Sequence, residues 1–151
     1  MAIPLSNEIR ALLDAPNFAH LATLMPDGSP QSAPVWVGRE GDHILICTGE
    51  GSLKARNTRR DPRVSLSIVD FHDPYQEAQL RGRVVERRPD GDFKYGDPNS
   101  LKYTGKPFPF RALREEWRSS SRSRRHDTPS SLLNIRHPSD ALLRILGIAG
   151  A

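Results

Sequence analysis

The sequence predicts a mainly β protein, a closed antiparallel barrel carrying a few short helices. Three observations point to it. Short apolar stretches of strand length recur between Phe18 and Glu86, and turn residues separate them. A single helix-patterned insert, Leu53–Arg60, interrupts the strands, so there is no repeating strand–helix–strand rhythm of the kind that builds a parallel sheet. The chain has 151 residues, room for one domain with one modest core.

The elements follow in order. Ser6 stands before NEIRALL, where Ile9, Leu12 and Leu13 share one helical face and Glu8 sits in the first turn, so a short opening helix is expected. Phe18–Leu24 reads as the first strand and ends at Pro26-Asp27-Gly28, a turn sequence whose glycine accepts the required backbone. The return strand Pro30–Val37 places Ala33, Val35 and Val37 on one face and Trp36 on the other. Pro30 and Pro34 remove two backbone donors from it, so its backbone should face something other than a ladder strand. Gly38–Asp42 reads as a turn and His43–Thr48 as a compact apolar strand. After the insert, Arg63–Val69 alternates Val64, Leu66 and Ile68 with Ser65 and Ser67, a strand with one wet face. Ala78–Glu86 follows as another strand, in which Gly82 marks a bulge or a close backbone approach.

Composition removes several function classes. The lone cysteine, Cys47, forbids an internal disulfide and a CxxC metal site, and suits a reducing cytoplasm. The five histidines are scattered without ligand spacing, so no metal site is expected. The N-terminus lacks the pattern of a signal peptide and no apolar run is long enough to span a bilayer, so a cytoplasmic protein with no membrane partner is expected. The net charge of +4 suits an anionic partner, and its distribution narrows which one. Five of the ten residues Lys54–Arg63 are basic, and no aromatic residue interleaves them, which argues against a nucleic-acid surface that stacks bases.

The segment Ser52–Arg63, SLKARNTRRDPR, carries the most chemistry. A helix start preceded by glycines and a hydroxyl, then followed by Lys54, Arg56, Arg59 and Arg60, suits a phosphate: backbone N–H groups and the helix dipole attract the anion, and long cations close around it. A solvated basic helix face is the competing reading.

The motifs FAHLATLMPDGSPQSAPVWV, ILICTGEGSLKARNTRRDPRVSLSIVD and RGRVVE stand in an order that resembles the split-barrel flavin and deazaflavin proteins related to pyridoxamine 5'-phosphate oxidase. LATL-PDG-PQ-PVW followed by K-x-R-N-x-R-R-D-P-R is most similar to the actinobacterial branch of coenzyme F420-dependent oxidoreductases, over about residues 5–113, and LKYTGKPFPFR at Leu101–Arg111 looks like that branch's helix and Pro-aromatic loop. The resemblance implies a six-stranded antiparallel split β-barrel of the FMN-binding type, working as a homodimer with the cofactor at the subunit interface. It implies that Ser52, Lys54, Ala55, Arg56, Asn57 and Arg60 hold the phosphate and acidic tail of the cofactor. Gln31, Ser32, Pro34, Val35 and Trp36, with Cys47 and Thr48, would line the ring, and Tyr75 and Gln76 of a second copy would help close the site. The activity implied is hydride transfer between F420 and an unsaturated small molecule; FMN-dependent oxidoreduction and cofactor carriage without catalysis are the alternatives. No catalytic side chain is assigned, since the cofactor carries the difficult chemistry.

The pattern breaks after Glu116. Residues 1–116 read as the cofactor-binding barrel, while residues 117–151 read as an atypical Arg/Ser-rich segment and a short amphipathic helix within LLNIRHPSDALLRILGIAG. Trp117–Ser131 holds four arginines and six serines, a composition with no apolar face for a last barrel strand, so the sheet is expected to lack one.

Overall fold

The computed structural model of the protein describes residues 4–109 and 141–148. Ten elements follow one another: α1 (Asn7–Asp14), β1 (Ala19–Leu24), β2 (Pro30–Val35), β3 (Gly38–Glu40), β4 (His43–Thr48), α2 (Leu53–Arg60), β5 (Arg63–Val69), β6 (Glu77–Pro89), α3 (Gly96–Thr104) and β7 (Ala141–Ile148). The seven strands form one curled antiparallel sheet in the order β2-β1-β5-β6-β7-β4-β3.

Local chemistry accounts for most boundaries. The Ser6 side chain accepts from the Ile9 amide, and α1 buries Leu12 and Leu13. In the β1–β2 hairpin, Asp27 Oδ1 accepts from both the amide and the hydroxyl of Ser29 at 2.9 and 2.6 Å, and Gly28 sits at φ +84°, where a side chain would be strained. The periods expected of β5 hold without exception, since Val64, Leu66 and Ile68 are buried between exposed neighbours. The core gathers Leu13, Leu21, Ile44, Ile46, Ile68, Leu143 and Ile145 on the concave side of the sheet. α3 lacks a side-chain cap of its own; the Asp90 carboxylate substitutes, accepting from the Tyr95 and Gly96 amides at 2.9 and 2.8 Å.

Four expectations change. Gly38–Asp42 is not wholly a turn: Gly38–Glu40 pairs with His43–Leu45, and only Gly41, at φ +60°, and Asp42 make the reversal. This short β3 raises the strand count from six to seven. The irregularity expected at Gly82 lies further along, because Gly82 pairs in register with both Val64 and Gly147. The register instead slips between Val84 and Glu86, with Val84 opposite Ile145 and Glu86 opposite Arg144. A regular ladder would have set Glu86 against the buried Leu143; the extra residue keeps Glu86 opposite Arg144 and sets Arg87 opposite Leu143 instead.

The largest change concerns the end of the chain. The expected helix in LLNIRHPSDALLRILGIAG is not formed over Ala141–Ile148, which is a strand inserted between β6 and β4. Its apolar density suits either structure, but Leu143 and Ile145 are fully buried with Arg144 between them, an alternation of period two. Residues 141–148 therefore contribute a strand to the sheet. Arg144 Nη1 reaches Glu86 at 2.8 Å and its Nη2 meets His43 Nδ1 at 3.0 Å, tying β7 to both neighbours. Arg88 and Arg144 together hold the Glu86 carboxyl down to about 2. The Arg/Ser-rich Trp117–Ser131 segment lies outside the described residues.

Candidate functional site

The sheet is open between β2 and the β3–β4 edge, and the residues singled out in the sequence border this opening. Among the described residues β2 pairs only with β1, so Pro30 and Pro34 stand on an edge strand, where proline is tolerated. On the other side, β3 covers only His43–Leu45 of β4, leaving Ile46, Cys47 and Thr48 with β7 as their one strand partner among the described residues. Gln31, Ser32, Pro34 and Val35 thus lie on one open edge and Cys47 and Thr48 on the other.

Helix α2 bridges the two. At its start, Ser52 Oγ accepts from the Ala55 amide at 3.2 Å and meets Thr48 Oγ1 at 2.9 Å, so the end of β4 is fastened to the helix cap. Along its middle, the buried Asn57 donates through Nδ2 to Thr23 Oγ1 at 3.0 Å, and Thr23 donates to Gln31 Oε1 at 3.4 Å, which fastens the helix to β1 and β2. Arg60 donates to Asn57 Oδ1 at 3.0 Å and to the Leu24 carbonyl. Ala55 is fully buried beneath the helix.

The first turn of α2, Leu53-Lys54-Ala55, contains no acidic residue. Helix N-termini ordinarily attract carboxylates there, so no side chain of this turn offsets the partial positive charge of this end. Lys54 is half-buried and Arg56 exposed on the same helix. The Arg59 side chain folds back along the helix to the loop before it, donating to the Glu50 carbonyl at 3.1 Å and pairing with the Glu50 carboxylate. Beneath lies Arg87, brought here by the register slip in β6: its Nη2 donates to Thr58 Oγ1 at 2.8 Å, while its buried Nη1 has no hydrogen-bond partner among the described residues. Burial, and then the like charge of Arg59, push the Arg87 guanidinium below its usual range.

The structure distributes the sequence-selected residues among different tasks. Ser52, Thr48 and Lys54 sit together at the helix start. Asn57 and Arg60 spend their polar atoms on the scaffold that joins α2 to β1. Cys47 Sγ lies 3.9 Å from Asp90 Oδ2; burial, reinforced by that carboxylate, pushes the thiol up to about 12, so it stays protonated and is no nucleophile. Trp36 stacks on Tyr103 of α3 with ring centroids 5.2 Å apart and planes 5° apart, and the Tyr103 hydroxyl donates to the Asn17 carbonyl at 2.6 Å. Tyr75 and Gln76 stand away from the helix start, at the end of the sheet where Val35 and Ile68 both lie opposite Ala19. They lie beyond the far end of β5, about 20 Å from the end of α2 at the rise of an extended strand. Tyr75 is 95% exposed there, near the exposed Phe71, Val69 and Phe18. A groove of about 530 Å³ runs from Pro30 of β2 and Thr23 of β1 across β5 and β6, with Arg63, Ser65 and Arg81 along it, and no residue of α2 lines it.

Three residues of this region were missed from sequence. Thr23 had a signal, being polar in the apolar phase set by Ala19 and Leu21. Arg87 had none, because a strand that keeps its register would point it outward. Glu50 looked like loop filler and is the partner of Arg59.

No helix among the described residues is long and apolar enough to cross a membrane. Among solved structures, one named F420 Reductase superposes with a TM-score of 0.70 at 23% identity, over 97% of this chain and 97% of that one. A conserved hypothetical protein from Mycobacterium tuberculosis matches at a TM-score of 0.60 and 23% identity, over 97% of this chain and 82% of the other. A putative pyridoxamine 5'-phosphate oxidase from Listeria innocua matches at 0.54 and 17%, over 93% and 91% of the two chains. At these identities the likeness speaks for the fold. No curated protein matches the chain. The family model for pyridoxamine 5'-phosphate oxidase, in contrast, matches residues 5–133, most of the sequence, and includes both the open edge of β2 and the capped helix α2; the chain belongs to the pyridoxamine 5'-phosphate oxidase family.

Proposed function

We propose that the protein is an F420-dependent oxidoreductase whose cofactor lies along the opening between β2 and β4 with its phosphate at the start of α2. The observation that carries this reading is that helix start: two hydroxyls, Thr48 and Ser52, a first turn without an acidic residue, and Lys54 upon it. Anion binding there follows from the partial positive charge of the helix N-terminus, with Lys54 as the point charge. When bound, the deazaflavin supplies the hydride for an unsaturated small-molecule substrate. The chain's own part is to hold and orient. The Gln31–Thr23–Asn57 relay sets α2 against β2, so the phosphate end and the open edge keep a constant separation. Backbone groups of Gln31–Val35, freed from any second ladder, are available to a ring edge, and the protonated Cys47 thiol leaves redox work to the cofactor. FMN is the alternative ligand, favoured by membership of the pyridoxamine 5'-phosphate oxidase family.

We also propose a homodimer. Phe18, Val69, Phe71 and Tyr75 are large apolar residues exposed at one end of the sheet, and a second copy would cover them and bring its Tyr75 and Gln76 toward the site. A reducing cytoplasm remains the expected location.

Fluorescence titration with coenzyme F420 and with FMN, on the native protein and on Lys54→Ala, tests the reading. F420 should bind in the micromolar range or better, and Lys54→Ala should weaken it at least tenfold, as expected for loss of a charge-assisted phosphate contact. Binding of FMN alone transfers the proposal to the alternative, and binding of neither refutes it. F420 that binds but is never oxidised by any enone, quinone or tetrapyrrole indicates a carrier.

A further inference from the structure

The loop before α2 carries a carboxylate that pairs with a cation of the helix itself. Glu50 lies between Gly49 and Gly51, two residues before the Ser52 cap. Its carboxylate pairs with Arg59, whose guanidinium has travelled two turns back along the helix to reach it. Three observations indicate that this pairing is exchangeable. The Arg59 and Glu50 side chains are 42% and 52% exposed, and ion pairs that open to solvent are held weakly. Arg87 sits beneath with one nitrogen unpartnered among the described residues and a like charge in Arg59, so the pair of arginines carries more positive charge than one Glu50 answers. Gly51 has an ordinary negative or extended backbone here and open space where a Cβ would stand. Nothing in this arrangement of the loop requires glycine at 51, whereas a loop that carries Glu50 away from Arg59 gains from it.

From this geometry we infer that Glu50 is a built-in competitor for the tail of the cofactor: it occupies Arg59, and a ligand reaches Arg59 by replacing one carboxylate with another. The inference rests on the proposed cofactor reading and extends it to specificity. A phosphate at the helix start is served by Lys54 and the amides. Arg59, backed by Arg87, serves carboxylates further along the ligand, so the site favours a tail that bears both. Glu50 then lowers affinity for every weaker anion and makes the carboxylate tail the group that overcomes the competition.

The test compares coenzyme F420, with its glutamate tail, against the same deazaflavin phosphate stripped of its glutamates, by fluorescence titration of the native protein, Glu50→Gln, Arg59→Gln and the double variant. Glu50→Gln should tighten the glutamylated form two- to fivefold, the range an exposed ion pair commands, and tighten the stripped form by less. The surplus should vanish in the Arg59→Gln background. Melting temperature reports whether each variant is folded, and Glu50→Ala replaces Glu50→Gln if that one is not. An equal gain on both forms, a surplus that survives without Arg59, or no gain overturns the inference while leaving the cofactor reading intact. Native protein that binds neither form overturns both.

Discussion

Replacing Asn57 by alanine separates scaffold from ligand contact. Asn57 is 1% exposed. It donates to Thr23 Oγ1 at 3.0 Å and to Met25 Sδ at 3.5 Å, and accepts from Arg60 at 3.0 Å. Removing the amide deletes one good neutral bond and one charge-assisted bond. Thr23 Oγ1 keeps its donation to Gln31 but loses the donor it accepted from, in a site closed to water. At about 1 kcal/mol for each net bond and about 1 more for the stranded acceptor, the loss comes to about 2–4 kcal/mol. For a chain of this size that lowers the melting temperature by roughly 5–12 °C. Urea unfolding followed by circular dichroism measures the free energy, and cofactor titration on the same variant below its melting point measures affinity. The reasoning requires a large stability loss with affinity reduced less than fivefold while the protein is folded. A loss of stability under 1 kcal/mol, accompanied by a tenfold or greater loss of affinity, would refute it and return Asn57 to the ligand.

Other expectations follow from the same structure. Leu143→Ala, at a fully buried position of β7, should cost about 2–5 kcal/mol of unfolding free energy; a cost below 1 kcal/mol would mean that β7 does not complete the sheet. Lys102 donates to the Leu13 carbonyl at 2.7 Å and to the Val37 carbonyl, and burial pushes its ammonium down to about 8 against a small opposing effect of Asp14. Because the native pKa lies below the unfolded value of about 10.4, the unfolded chain holds the extra proton between pH 8 and 10.4, and stability rises with pH across that window. The full gap corresponds to about 3 kcal/mol, but partial exposure of the side chain reduces the expected rise to about 1 kcal/mol. Urea midpoints between pH 7.5 and 9.5 should climb for the native protein and stay level for Lys102→Met; equal slopes would remove Lys102 as the cause. Phe71→Ser with Tyr75→Ser should convert the proposed dimer to monomer in sedimentation velocity while the far-ultraviolet circular dichroism of the folded chain is unchanged, and an unchanged sedimentation coefficient would locate the interface elsewhere.

Much of the fold was legible because its signals are local. Serine caps at Ser6 and Ser52, the Pro-Asp-Gly turn, and the strict alternation in Arg63–Val69 depend on neighbours within a few residues, so the sequence by itself determined α1, α2, the β1–β2 hairpin and β5. It also marked the helix start to which the proposed phosphate site is assigned, since a glycine-preceded Ser cap followed by cations is one contiguous feature. Tertiary structure decided what depends on partners distant in the chain. Whether the apolar run at 141–148 becomes a helix or a strand is settled by the open edges of β4 and β6, which offer it two ladders. Whether Arg87 points outward or under α2 is settled by a one-residue slip against β7. Asn57 and Lys54, three residues apart on one helix, looked alike as ligand candidates; the fold buries the first against Thr23 and leaves the second half-buried, a difference that depends on β1, distant in the chain.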